Sequence, residues 1–139
     1  MKVPVKWLKN YVDNWAFCDD FCTHAFGEII IKYPKFLPNI KLWTKSKNRW
    51  ERRASSVILI PLANQKKYLK NIFETSDILL TDTDDLVQKG YGWTLKVASN
   101  KFPNEVFEFV MKRKNIMPRT ALRYAIEKYP KKMKDKAMK

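Results

Sequence analysis

Glycine occurs three times in 139 residues, at 27, 90 and 92. That scarcity constrains the fold more than any other feature. Tight hairpin turns draw on glycine for their positive-φ positions, and a sheet protein of this length needs many of them. Hairpin signals are few, and apolar residues recur at helical spacing over long segments, so the pattern predicts an all-α chain. A chain this long is one ordinary domain that buries roughly two thirds of its unfolded surface. Its 45% hydrophobic and 14% aromatic content is enough to fill a core without disulfide staples.

Pro4 suits the first turn of a helix that carries Trp7, Leu8, Tyr11 and Val12 on one face. Asp13 or Asn14 N-caps a second helix running to about Ala25, and Gly27 ends it or lies in the turn beyond. Pro34 and Pro38 limit the next segment to one or two short helices, the main one through Ile40, Leu42 and Trp43. The triplet Ile29-Ile30-Ile31 has strand character but no partner strand nearby. Asn48 caps "NRWERRASSVILIPLAN", polar at its start, apolar all round from Val57 to Leu62, and bent or ended by Pro61. Tyr68, Leu69, Ile72 and Phe73 follow at helical spacing.

"TDTDD" at 81–85 is an acidic helix start that complements the helix dipole. The helix it opens holds Leu86, Val87, Trp93, Leu95 and Val97, and Gly90 and Gly92 weaken it by about 1 kcal/mol each. Those glycines either let a neighbouring helix pack closely or clear space in front of Trp93. Pro103 starts another helix and Met117-Pro118 opens the last. A helical domain is thus expected over 1–130, followed by a basic disordered tail over 131–139.

The charge balance is 28 basic to 14 acidic residues, a formal +14. Such a surplus points to nucleic acid or an anionic membrane. No stretch has the length of a membrane span, and "MKVPVKWLKNYVDNW" lacks a signal-peptide core, so a soluble cytoplasmic protein is expected. Residues 1–50 carry 9 positive and 4 negative charges, residues 51–100 carry 7 and 6, and residues 101–139 carry 12 and 4. The two ends are electropositive and the middle nearly balanced. Cys18 and Cys22, spaced for one helix face, suit buried thiols better than a disulfide framework. With His24 they offer three zinc ligands, and no fourth is close in sequence.

Helices pair along the chain, and Trp15, Arg53 and Trp93 stand 38 and 40 residues apart. That period fits HEAT-like helical repeats, in which equivalent positions point the same way and line one concave face. Trp15, Asp19, Arg53 and Trp93 are then expected on a single surface of an α-solenoid.

Four segments in register, "NWAFCD", "NRWERRA", "VQKGYGWTLK" and "MPRTALRYAIEK", resemble the consecutive motifs of the AlkD-like DNA alkylation repair family, over residues from about 4 to 129. Measured against that pattern the chain starts partway in, so the family's N-terminal helices are expected in a split partner, or the chain is a fragment or a trimmed relative. The resemblance implies a HEAT-like DNA glycosylase that removes cationic alkylpurines such as 3-methyladenine and 7-methylguanine from duplex DNA, as a monomer, without metal or cofactor. By motif it implies a cleft built from Trp15 and Asp19 (the Trp-x-x-x-Asp pair), Arg53 and Trp93. Lys96 stands where relatives commonly carry arginine, which keeps the charge and loses bidentate geometry.

The chemistry that this implies is coherent. N-alkylation makes the purine a cationic leaving group, and breaking the glycosidic bond leaves positive charge on the sugar. Asp19 is the candidate stabiliser of that oxocarbenium ion and can orient the attacking water. Trp15 and Trp93 offer ring faces to a cation. Arg53 is the candidate phosphate clamp, and Arg52, Lys89, Lys96, Arg119 and Arg123 are further candidate DNA contacts. Residue by residue, structural alternatives stand beside these. Taken without the motifs, the tryptophans read first as core aromatics, and Asp19 as a solvated acid or the partner of Arg53. Either Arg52 or Arg53 is the arginine that meets phosphate. A non-catalytic DNA-binding helical module is the alternative at the level of function.

Overall fold

The computed structural model describes Asp19, Cys22 and residues 27–139. The first two expected helices, with Trp15, Cys18, Asp20 and His24, lie outside the described residues. Among the described residues every regular element is helical: α1 (Gly27–Lys32), α2 (Leu37–Lys41), α3 (Arg49–Val57), α4 (Leu69–Leu79), α5 (Asp85–Lys101), α6 (Pro103–Arg113), α7 (Arg119–Ala125) and α8 (Lys131–Met138). Short 3-10 turns at Pro34–Phe36, Leu42–Lys45, Ile60–Leu62 and Lys66–Tyr68 join them.

Local chemistry explains the boundaries. The triplet Ile29-Ile30-Ile31 is helical in α1: Ile30 is buried while Ile29 and Ile31 face solvent. Asn48 caps α3, its side-chain oxygen accepting from the Trp50 amide at 2.8 Å and the Glu51 amide at 3.4 Å. Pro61 has no amide to donate to the carbonyl of Val57, so α3 ends there and the chain tightens into the turn at Ile60–Leu62. Asp84 caps α5 in the same manner, accepting from the Leu86 amide at 2.9 Å. Burial opposes ionisation of Asp84, yet the Arg49 hydrogen bond and the helix amides outweigh it and hold the carboxyl below its usual range.

The longest helix, α5, is central. It packs against α3 and α7, and more lightly against α4 and α6. Tyr91, Leu95 and Ala98 of α5 are fully buried, with Ala54 and Val57 of α3 and Ala121, Leu122 and Ala125 of α7 in the same core. Gly90 and Gly92 take the first of their two expected roles. Two residues of α-helix turn through about 200°, so they face opposite ways. A Cβ on Gly90 would lie 3.0 Å from Arg53 Cγ and 3.5 Å from a Val57 methyl of α3, whereas one on Gly92 would lie 2.7 Å from Tyr124 Cβ and 2.9 Å from the Ala121 carbonyl oxygen of α7. Each glycine therefore admits a different neighbour. Between α3 and α5 the buried Ser56 and Thr94 hydroxyls are 3.1 Å apart, which satisfies polar groups at the crossing.

The C-terminal segment differs from the expectation of disorder. Pro130 precedes α8, whose apolar side is set into the domain: Ala137 is 1% exposed, and Met133 and Met138 pack against the core. The composition of the segment is that of a solvated tail, but apolar residues at 133, 137 and 138 are spaced to share one helical face.

Candidate functional site

Arg53 organises the site. It lies on the inner face of α3, where its stem runs against the bare backbone of Gly90. Its Nε and Nη2 each donate to one oxygen of the Asp19 carboxylate, both at 2.8 Å. Its Nη1 donates to the Leu86 carbonyl at the start of α5. A bidentate pair fixes both the position and the plane of the carboxylate. Arg53 is only 5% exposed, and the Asp19 side chain 13%.

This placement differs from the phosphate clamp expected of Arg53. A guanidinium so buried and so committed to protein acceptors has to break those bonds to meet a phosphate. Arg52 is also held by protein: Nε donates to Asp82 at 2.9 Å, and Nη1 to the Ser46 and Lys47 carbonyls at 3.0 and 3.2 Å.

Asp19, Arg53 and Trp93 line one cleft of about 400 Å3 together with Leu86, Lys89, Lys96 and Tyr124. The sequence expectation that Asp19, Arg53 and Trp93 share a surface thus agrees with the geometry; Trp15, the fourth, is outside the described residues. Trp93 is half-buried against the core. Tyr124, which sequence reasoning missed, is 37% exposed and supplies a second aromatic wall. Its motif, "MPRTALRYAIEK", drew attention to Arg119 and Arg123 instead. What brings Tyr124 to the cleft is the close α5–α7 crossing at Gly92, a tertiary contact without a spacing signature.

Both lysines of the cleft already hold carboxylates. Lys89 Nζ lies 2.9 Å from Asp85, whose hydrogen bond raises the ammonium above its usual range. Lys96 Nζ lies 2.7 Å from Glu127 and 5.7 Å from the centre of the Tyr124 ring. The Lys96 hydrogen bond in turn lowers the Glu127 carboxyl. Arg119 and Arg123 are exposed on α7; Arg119 Nη1 donates to the Met138 carbonyl at 2.9 Å. Among the described residues no group of three or more His, Cys, Asp or Glu side chains is placed to hold a metal ion. None of the described helices is long and apolar enough to cross a membrane.

The site therefore combines one rigidly held carboxylate, aromatic walls and two ammonium groups. Its carboxylate and rings suit a group that is or becomes cationic, and its lysines suit flanking anions.

The sequence model of a family described as DNA alkylation repair enzyme matches residues 1–129. No curated protein matches the chain.

Proposed function

The chain belongs to the DNA alkylation repair enzyme family, and from that membership and the cleft we propose that it is a DNA glycosylase, hydrolysing the N-glycosidic bond of cationic N3- or N7-alkylpurines in duplex DNA. The observation that carries this reading is the Asp19 carboxylate, fixed by Arg53 in a cleft walled by Trp93 and Tyr124. Helices that pair along the chain and pack on both sides of α5 are consistent with HEAT-like stacking, in which this cleft lies on the concave, DNA-facing side.

In this mechanism the glycosidic electron pair leaves with the alkylpurine, which departs neutral. The sugar becomes an oxocarbenium ion beside Asp19, and water oriented by that carboxylate adds to its anomeric carbon, losing its extra proton through Asp19 to solvent. A carboxylate about 4 Å from that charge gains about 4 kcal/mol at an effective dielectric near 20. The Arg53 guanidinium, roughly 4 Å further back, opposes by about 2 kcal/mol. The net of about 2 kcal/mol corresponds to roughly thirtyfold in rate. Arg53 is thus a positioning residue that trades part of Asp19's charge for a fixed geometry. Trp93 and Tyr124 add about 0.5–2 kcal/mol each where a ring faces the cation.

That same ion pair favours a second reading, a DNA-binding module without catalysis, because it spends carboxylate charge inside the protein. Release of 7-methylguanine from methylated duplex DNA separates the two. Under the glycosylase reading the wild-type protein releases the base, and Asp19→Asn retains DNA affinity but excises about a thousandfold more slowly, because the attraction of about 4 kcal/mol is lost while the Arg53 charge still opposes. Equal excision by the two proteins removes the role assigned to Asp19, and no excision by either supports the binding module.

A further inference from the structure

Helix α8 lies beyond the residues that the family match covers. Residues 130–139 hold five lysines and one acid, Asp135, which pairs with Lys131 at 3.4 Å. The helix is pinned at its C-terminal end: Lys114 Nζ donates to the Lys136 carbonyl at 3.2 Å and Arg119 Nη1 to that of Met138 at 2.9 Å. Two cations thus satisfy carbonyls where the helix dipole is negative. With its apolar side against the core, α8 presents Lys132 and Lys136, about 40° apart around the helix and both exposed, on a fixed outer surface, while Lys134 is half-buried on the side toward Glu127.

The contrast with the cleft decides what that surface can do. Lys89 and Lys96 each hold a carboxylate, and Arg52 and Arg53 are tied to Asp82 and Asp19, so a phosphate has to displace an acid at each of them. Lys132 and Lys136 are exposed and make no such pair among the described residues. The two regions adjoin through Glu127. Its carboxyl responds first to Lys96 of the cleft and, more weakly, to Lys128 and to Lys134 of α8.

We propose that the outer face of α8 is a docking surface for the backbone phosphates of duplex DNA, through Lys132 and Lys136. This rests on the DNA reading above and deepens it. The face supplies sequence-independent affinity beside a cleft whose own cations are neutralised in the free protein. Duplex DNA fits better than a membrane because an amphipathic helix needs an apolar side to enter a bilayer, and that of α8 is already buried.

The test is the salt dependence of binding to an undamaged duplex by the full chain. The double variant Lys132→Gln, Lys136→Gln is compared with wild type and with a control variant, Lys35→Gln, Lys45→Gln, whose lysines are also exposed and outside ion pairs among the described residues. The α8 variant is expected to flatten the slope of log K against log salt by about 1.5 to 2, and the control by less than about 0.5. A wild-type slope retained in the α8 variant overturns the docking surface and leaves the DNA reading standing. So does an equal loss in the control, which marks the charge as unspecific. Absence of salt-dependent binding by wild type overturns both. Vesicles of phosphatidylglycerol form the remaining arm: binding that wild type shows and the α8 variant loses, with the DNA slope unchanged, overturns the proposal in favour of a membrane.

Discussion

Gly92→Ala is the most direct probe of how α5 and α7 place Trp93 and Tyr124. An alanine Cβ would sit 2.7 Å from Tyr124 Cβ, 2.9 Å from the Ala121 carbonyl oxygen and 3.4 Å from Ala121 Cα. Carbon atoms prefer about 3.5–4.0 Å, so the two helices have to part by close to 1 Å at their crossing. Neither neighbour can swing aside: one is backbone, and a Cβ moves only with its helix. Overpacking of this kind costs about 1–3 kcal/mol, while alanine for glycine in a helix interior returns up to about 1 kcal/mol. The net expectation is destabilisation by about 1–2 kcal/mol, a fall in Tm of about 4–8 °C for a chain of this size.

Gly90→Ala supplies the internal comparison. Its Cβ would meet Arg53 Cγ at 3.0 Å and a Val57 methyl at 3.5 Å, so a shift of a few tenths of an ångström suffices. Stability should stay within about 1 kcal/mol of wild type, since the helix gain offsets the contact. The Arg53 stem, however, has to move while its guanidinium holds Asp19, so excision should fall more than stability does. Urea unfolding followed by tryptophan fluorescence measures both variants. A Gly92→Ala protein as stable as wild type, or more stable than Gly90→Ala, would falsify the close-crossing argument.

Arg53→Lys should lower excision at least tenfold and reduce stability by about 1–3 kcal/mol, because one ammonium cannot make the two-point contact with Asp19. Its affinity for undamaged duplex should be unchanged; a marked loss there restores the phosphate clamp. Tyr124→Leu should slow excision several-fold and Tyr124→Phe should not, if the ring face is what works; equal effects point to the hydroxyl. Asp84→Ala should cost about 1 kcal/mol in urea unfolding by uncapping α5. Burial pushes the Tyr129 phenol up to about 12, and its hydroxyl donates to the Pro103 carbonyl at 2.6 Å. An acid raised when folded stabilises fully below its unfolded pKa of about 10 and loses that contribution as pH climbs through the folded value. Alkaline melts should therefore lose stability across that window, with a shallower fall in Tyr129→Phe.

Several parts of the site were legible in the chain. The 40-residue spacing of Arg53 and Trp93, which share one cleft, stands in the chain, and the caps at Asn48 and Asp84 are local hydrogen-bond chemistry. The helical class was legible for the same reason: scarce glycine and apolar spacing act within a few residues. Which partner each charge takes was not: the chain offers Asp19 both as a solvated acid and as the partner of Arg53, and the geometry selects the second. Arg53 carries the same formula whether it faces phosphate or Asp19, and only the approach of α3 to α5 over Gly90 turns it inward. Tyr124 enters the cleft because two helices cross at Gly92, residues 32 positions apart in the chain. The tail, polar by composition, became a docked helix because Ala137 and two methionines found a core face to cover. Local backbone preference is encoded in short windows of sequence; the pairing of charges and the walls of a cleft depend on distances that exist only once the helices have packed.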